Sequence, residues 1–573
     1  MSRSRASSLA RLRSIVVATA LPLVLAACGE PDPGRGPALG STGRSAPAGV
    51  VLVVIDTLRA DHLGAYGSTA GLTPNLDALA ARSTVFEQCI AASSWTRSSM
   101  AALFASEYPT TLGVLGTTDV LPDAVTTLAE ALSATGVQTL GATANRNAGA
   151  RWGFSQGFDT FVSNMPRVSY PDDFGMVPAE ALTAEGLRLL DARDAARPFL
   201  LFLHYTDPHD PYFAHPEFMP GPEPEGGFDG SRRDLRRMDA AGTAALTEQD
   251  KQRIRWLYAS EVAYGDRWLG ALLDGLAERV GDEVLLVVTA DHGEGLWDHA
   301  ERAHGKDLYE EMIRVPLLVR WPASWGLAPG RVPGVVQNLD VAPTVAAAMQ
   351  LEAPGGWRGV DLFGVASGAA GSVTSGAAGG AASGAASGVD SGAAGGTRPH
   401  AYSEMDLNGR DYESLSDGAH KLIRLRAYDG GKWKRRSHRV TVGDSLASLS
   451  VRYFGSRAQV DAIAAANPEL LAQGVAVDEI ELSIGQQLAI PDRAPPSGRG
   501  FAWYELESDP GERDDQGDTP GARGSPLHRA LSEFARRNRE RGYEPSSVNL
   551  DDLDQDMLDE LRGLGYVGAD DDG

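Results

Sequence analysis

The segment Val50-Val51-Leu52-Val53-Val54-Ile55 is apolar at every position and mostly β-branched. A run without polar alternation predicts a strand buried on both faces. Similar runs recur at 199–204 and 284–289, and helical spacing lies between them at 122–135 and 251–276. Residues 98–105 are also compatible with a helix. Buried strands alternating with helices predict a doubly wound α/β sheet. Such sheets bind ligands beyond the carboxyl ends of their strands. Two of these strands lead there into acids: Asp56 follows the first, and Asp291, with His292 beside it, follows the third. One such Asp is equally explained as a helix cap. Two, with an imidazole adjacent, fit a divalent cation that relieves their repulsion and their burial.

The ends of the chain read differently. Arg3, Arg5, Arg11 and Arg13 precede an apolar stretch over 15–27 that is short for a membrane span and fits a signal peptide. It closes on Leu25-Ala26-Ala27-Cys28, which resembles the bacterial lipobox. That resemblance implies lipidation at Cys28, a mature chain starting there, and a Gly/Pro/Ser-rich tether over 29–48. Residues 365–397 are nearly all Gly, Ala and Ser, which cannot build a core and predicts a flexible insert. Apolar spacing in the acidic tail from Asp551 predicts a docking helix.

Composition narrows the partners. A chain of 573 residues predicts two or three domains. The net charge of −24 opposes general binding to nucleic acid. Two cysteines, Cys28 and Cys89, exclude a disulfide scaffold and a Cys-based structural zinc site. With Cys28 lipidated, Cys89 is expected as a buried small hydrophobe.

Beyond the two acid-ended strands, several segments resemble the sulfatases and, more widely, the alkaline phosphatase superfamily. Val53-Val54-Ile55-Asp56-Thr57-Leu58-Arg59-Ala60-Asp61 is similar to the first metal motif of that family, and Thr289-Ala290-Asp291-His292-Gly293-Glu294 to the second. Tyr309-Glu310-Glu311 through Arg314-Val315-Pro316-Leu317 resembles the signature that follows. Tyr205-Thr206-Asp207-Pro208-His209-Asp210-Pro211-Tyr212 resembles a loop that carries a substrate-contacting His, and Gly157-Phe158-Asp159 is a further landmark. Lys421-Leu422-Ile423, Tyr504-Glu505-Leu506 and Asp509-Pro510-Gly511-Glu512 resemble the C-terminal subdomain. Gly563 to Gly568 resembles the endings of some bacterial members.

The nucleophile departs from the family. Sulfatases carry Cys or Ser in a Cys/Ser-x-Pro-x-Arg motif, twelve residues before the Tyr of a Tyr-Pro pair. Counting back from Tyr108-Pro109 gives Thr96, and the motif's Pro and Arg are replaced by Ser98 and Met100. Thr cannot become formylglycine. In this register it resembles the nucleophile of nucleotide phosphodiesterases and phosphoethanolamine transferases. The stretch matching the family's Lys-Trp-His grip on sulfate reads Ala142-Thr143-Ala144-Asn145-Arg146-Asn147. The resemblance implies a first shell of Asp56, Thr96, Asp291 and His292 around one divalent metal, with a second ion compatible with the superfamily. An imidazole ligand shifts the expectation from calcium toward zinc or manganese. His209 is expected at the substrate and His304 at the transferred group or a second metal, and the two together at the non-bridging oxygens or the leaving oxygen. His299 is expected in a loop or on the surface, and His62 as scaffold.

Residues 438–491 resemble a LysM domain, with a βααβ order. That resemblance implies binding of peptidoglycan-type glycans through Gly443, Asp444, Ser445, Leu446, Asn467 and Pro468. The expected organisation is a signal peptide over 1–28, a tether over 29–48 and a catalytic domain over 49–364. The insert at 365–397 follows. A smaller α+β subdomain is then split into 398–437 and 499–573 by the LysM unit at 438–491. The function implied is a metal-dependent hydrolase of sulfate or phosphate esters in the bacterial cell envelope, facing the periplasm or cell surface. The alternatives are a phosphodiesterase or phosphoethanolamine-type transferase, or a noncatalytic wall-binding lipoprotein.

Overall fold

The computed structural model describes residues 44–548, apart from 168–175, 238–245, 369–397, 441–444, 451–459, 492–500, 518–521 and gaps of one or two residues. Cys28, Gly443, Asp444, most of the Gly/Ala/Ser insert and the tail from Asp551 lie outside the described residues. A short helix, Phe363–Ala366, occupies the place where the insert was expected to begin.

A mixed sheet of eight strands organises the larger part. The strands are β1 (Gly49–Ile55), β2 (Thr84–Ile90), β3 (Gln138–Thr143), β4 (Thr160–Val162), β5 (Phe199–Tyr205), β6 (Val284–Ala290), β7 (Arg314–Arg320) and β8 (Gly330–Gln337). Their order is β8-β2-β7-β6-β1-β5-β3-β4. All neighbours run parallel except β7, which is antiparallel to β2 and β6. Among its described residues, the chain returning from β6 to β7 holds a two-residue strand pair, Gly295–Leu296 with Arg302–Ala303, and the four-residue helix Glu310–Ile313, so those residues include no long crossover helix to set the strands parallel. Pro316 sits inside β7, where a strand would need its missing N–H, and the register with β2 shifts there. β1, β5 and β6 are buried at every position, so cover lies on both faces, as the unbroken apolar runs predict.

Five helices matter here: α1 (Thr96–Ala105), α2 (Ala179–Ala192), α3 (Glu248–Val280), α4 (Val341–Ala348) and α5 (Pro526–Glu540). α2 packs on β3 and β5 and against α3. The helix expected over 122–135 is confined to Leu128–Ser133, because Thr127 and Glu130 form a reciprocal capping box that starts it late. Gly157 follows with φ +81°, and a Cβ there would lie 2.1 Å from the Glu130 nitrogen, so only glycine fits.

A second, antiparallel sheet has the order β9 (Ala401–Leu407), β10 (Arg410–Ser416), β11 (His420–Leu425), β12 (Phe501–Glu505). α5 closes it with Leu527, Leu531 and Phe534 against Tyr108, Tyr402, Leu415 and Leu422. Although far apart in sequence, β11 and β12 are hydrogen-bonded neighbours, with Leu422 opposite Trp503.

The chain between them folds on itself. Arg436–Arg439 pairs antiparallel with Gln487–Ile490, and helices Val460–Ala466 and Pro468–Leu471 lie between them in sequence. This unit has its own core of Val440, Leu446, Leu449, Ile463, Leu470, Ile480, Leu488 and Ile490. Two of the residues expected at a glycan surface are corrected by this packing. Leu446 is a core side chain. The buried Asn467 spends its amide on the backbone of its own unit: Nδ2 donates to the Ile463 and Ala489 carbonyls, and Oδ1 accepts from the Ala489 N–H. Among the described residues of that set, Ser445 is half-buried and Pro468 is exposed.

Candidate active site

The sheet register brings the expected residues level. Ile55 at the end of β1 lies opposite Tyr205 and Ala290, so Asp56 and Asp291 leave the sheet side by side. One position earlier, His204 of β5 lies opposite Val54 and Thr143. β2 ends at the same edge, and the chain beyond it enters α1 at Thr96. The cap position of α1 is Trp95, without a side-chain capping bond, and Thr96 is the first helical residue. Its hydroxyl is therefore not a cap: Oγ1 lies 3.1 Å from Nε2 of His292.

Each group is pinned at one end and bare at the other. Oδ1 of Asp291 accepts the His292 N–H at 2.8 Å and the Thr57 N–H at 3.3 Å. Thr57 takes φ +56°, a conformation that costs a β-branched residue roughly 1–3 kcal/mol, and the Tyr258 hydroxyl holds its carbonyl at 2.7 Å. Oδ2 of Asp56 accepts from Asn145 Nδ2 at 2.5 Å. The Thr143 hydroxyl donates to the Asn145 carbonyl, so it accepts from Nδ1 of His204 at 3.2 Å and leaves Nε2 as a bare lone pair. In His292, Nδ1 donates to the Gly293 carbonyl at 2.9 Å, which leaves Nε2 as the lone pair that accepts from the Thr96 hydroxyl. Asp56 Oδ1, Asp291 Oδ2 and His204 Nε2 are buried without a hydrogen-bond partner.

These buried groups converge. His292 Nε2 lies 3.4 Å from Asp291 Oδ2 and 3.6 Å from Asp56 Oδ1, and His204 Nε2 lies 3.9 Å from an oxygen of each acid. Together with the 3.1 Å to Thr96, these spacings match the roughly 3.4 Å between ligands of a tetrahedral ion with ligand bonds near 2.1 Å. Burial, then the Asp291 charge, holds the Asp56 carboxyl well above its usual range. Burial lowers His292 and pushes His204 down to about 4. Neutral imidazoles facing crowded carboxylates suit a divalent cation, and Asp56, His204 and Asp291 place one ligand atom each within 4.8 Å of one another.

Two further histidines flank the cluster. The His304 ring lies 4.6 Å from the His292 ring and 4.8 Å from the His209 ring. Nδ1 of His209 donates to the Asp210 carbonyl at 2.6 Å, and its Nε2 is buried without a partner. Nδ1 of His304 lies 3.3 Å from Oε2 of Glu294, a carboxyl that burial, and then the charge of Asp210, push up to about 7. Burial, first among the causes, pushes both imidazoles down to about 4.

A family model described as Sulfatase matches residues 49–351, more than half of the chain. The chain belongs to the sulfatase family. This sulfatase-family chain is 32% identical to the choline-sulfatase of Rhizobium meliloti (strain 1021) over 197 residues, which are 30% of the chain and 36% of that protein. It thus spans less than two thirds of the length of curated relatives such as this one. In fold it is similar to a 2-O GAG sulfatase, with a TM-score of 0.57, 17% identity, and coverage of 88% of this chain and 95% of that one. It is likewise similar to the phosphonate monoester hydrolase of Agrobacterium radiobacter, with a TM-score of 0.56, 16% identity, and coverage of 88% and 100%.

Within this sulfatase-family site, the structure brings together all of Asp56, Thr96, Asp291, His292, His209 and His304. It adds His204, Asn145 and Glu294, which sequence reasoning missed. The signal for His204 was its place as the last residue of the expected apolar run, level with two strand-end acids. Met100, where the family motif has Arg, is a core side chain. His62 lies in a short turn of 3-10 helix with Asp61. His299 lies in a turn, as the loop expectation had it, and is half-buried there, stacked on Tyr309 at 3.7 Å and bonded to Glu311 and the Glu512 carbonyl.

Proposed function

We propose that this chain is a metal-dependent hydrolase of sulfate or phosphate esters with Thr96 as nucleophile. The observation that carries the reading is the Thr96 hydroxyl hydrogen-bonded at 3.1 Å to Nε2 of His292, beside Asp56 Oδ1, Asp291 Oδ2 and His204 Nε2, which are buried without partners. Asp56, Asp291, His292 and Thr96 would hold one divalent cation, with His204 at its edge. Two nitrogen donors favour zinc or manganese over calcium. Such an ion lowers the pKa of a bound hydroxyl and stabilises charge on non-bridging ester oxygens.

The remaining work falls to side chains. Thr96 attacks sulfur or phosphorus and becomes esterified as the alcohol leaves. His209 and His304 would take up the proton that Thr96 gives up, hold the non-bridging oxygens through it, and pass that same proton to the leaving oxygen. Water then attacks the same centre and frees Thr96. The α1 N-terminus below Thr96 favours the anionic group through its backbone N–H groups. A Thr ester must be opened at sulfur or phosphorus. A phosphodiesterase or phosphoethanolamine-type transferase follows from the same residues with another acceptor.

The reading extends to the ends of the chain. Lipidation at Cys28 would anchor the protein in the bacterial envelope, facing the periplasm or the cell surface. The unit over 436–490, as a LysM domain, would hold it on peptidoglycan. The test is turnover of para-nitrophenyl sulfate, para-nitrophenyl phosphate, bis(para-nitrophenyl) phosphate and a phosphonate monoester. The protein is stripped with a chelator and refilled with zinc, manganese or calcium. Metal-dependent turnover of one class, abolished in Thr96→Ala, is expected. Absence of turnover with every ester and metal contradicts the reading.

A further inference from the structure

The stretch where the family carries its Lys-Trp-His motif is not vacant in this chain; it forms a hydrogen-bonded line from the nucleophile's neighbour to the first strand-end acid. Arg97 is fully buried, stacked on Trp152 with its guanidinium carbon 3.5 Å from the ring centroid. Its Nη1 donates to the Thr117 and Asp119 carbonyls, and its Nη2 donates to Oδ1 of Asn147 at 2.9 Å. The Asn147 N–H donates to Oδ1 of Asn145 at 2.8 Å, and Nδ2 of Asn145 donates to Oδ2 of Asp56 at 2.5 Å.

The direction of every bond is fixed by chemistry. A guanidinium and a backbone N–H can only donate, so each Asn presents its carbonyl oxygen to the preceding donor. Asn145 is left with its NH2 toward Asp56. That bond occupies one carboxylate oxygen and leaves the other, Oδ1, without a partner, 3.6 Å from Nε2 of His292. Arg97 is the residue after Thr96 in α1, so the line also ties the start of that helix to the Asp56 side chain. None of the three donors changes protonation in the working pH range, so the tie persists whatever the charge on the cluster. The turn itself supports it: Asn145 is the N-cap of the short 3-10 turn Arg146–Ala148.

We propose that Asn145 is a positioning residue for Asp56, held in turn by Asn147 and Arg97, and that this line sets the affinity of the site for a divalent cation. This rests on the metal-binding reading above. Polar groups behind metal ligands typically contribute 10–100-fold in affinity. Asn145→Ala is therefore expected to weaken binding of zinc or manganese to the stripped full-length protein by about 10–100-fold. Asn147→Ala, which breaks the line one step further from the acid, should weaken it less.

The measurement is calorimetric titration of zinc alone and of manganese alone into the stripped wild type, Asn145→Ala and Asn147→Ala. Circular dichroism checks each variant for native folding. A merely structural role would lower the melting temperature and leave the affinity of the folded protein unchanged. Should Asn145→Ala misfold, Asn147→Ala carries the comparison, and an affinity equal to wild type overturns the proposal. Wild type binding metal tightly with Asn145→Ala unchanged also overturns this proposal alone. Wild type binding neither metal overturns the metal-binding reading and the positioning role with it.

Discussion

At the residue scale, Thr96 bears the largest consequence. Thr96→Ala should lower kcat by a thousandfold or more, on the order of 4 kcal/mol of barrier, while leaving the fold intact, because Oγ1 bonds only to His292 among the described contacts. Thr96→Ser keeps the hydroxyl and should retain measurable turnover; steady-state kinetics on one responsive ester separates the two. His299 gives a pH signature away from the site. Both ring nitrogens face acceptors, Glu311 Oε1 at 2.8 Å and the Glu512 carbonyl at 2.9 Å, so the protonated ring is the form that satisfies both contacts. Burial is the largest influence and opposes that charge, but the Glu311 and Glu512 contacts together outweigh it and raise the pKa. A raised folded pKa adds stability that is complete below the unfolded value of about 6.5 and fades as pH rises through the folded value. His299→Gln should therefore lower the melting temperature at about pH 5 and by much less at about pH 9. An equal loss at both would mean the ring is held by packing alone.

Elements show what the sequence made legible and what it did not. The three unbroken apolar runs gave strands at the expected places, because a strand covered on both faces leaves a pattern that needs no partner to interpret. The acids at their ends followed from the same reading. His204 escaped notice because a histidine inside an apolar run looks like an ordinary strand residue until the register sets it level with Asp56. Glu294 and Asn145 become meaningful only through partners 10 and 89 residues away. The helix over 122–135 was overestimated because periodicity is blind to the Thr127 capping box. In the unit over 436–490, Asn467 looked like a surface ligand because it closes a helix beside Pro468, yet it knits that helix to the last strand. Asn467→Ala removes three hydrogen bonds, one of them fully buried, and should destabilise that unit by about 2–4 kcal/mol, read as earlier protease cleavage within 436–490.

For the whole molecule, a buried lysine is among the groups that join the two sheets, beside hydrogen bonds such as Gln337 Nε2 to the Tyr402 carbonyl. Lys421 of β11 is fully buried and bonds Glu310 at 3.0 Å, just before β7, and Glu512 at 2.9 Å, just after β12. Burial raises Glu512 to about 7, and the lysine beside it pulls the other way. Lys421→Met would strand that carboxyl and should cost about 3–5 kcal/mol of stability by chemical denaturation. The unit over 436–490 is inserted between adjacent strands, so bridging β11 to β12 with a short turn should leave ester turnover unchanged. On the LysM reading, the same deletion removes retention on peptidoglycan in a pull-down.

The central claim is a covalent bond at Thr96. Acid quenching of the metal-loaded protein during turnover, followed by peptide mass spectrometry, should find a sulfo or phosphoryl group on Thr96 and none in Thr96→Ala. Rapid turnover with the adduct on another side chain, or undiminished turnover in Thr96→Ala, would contradict it.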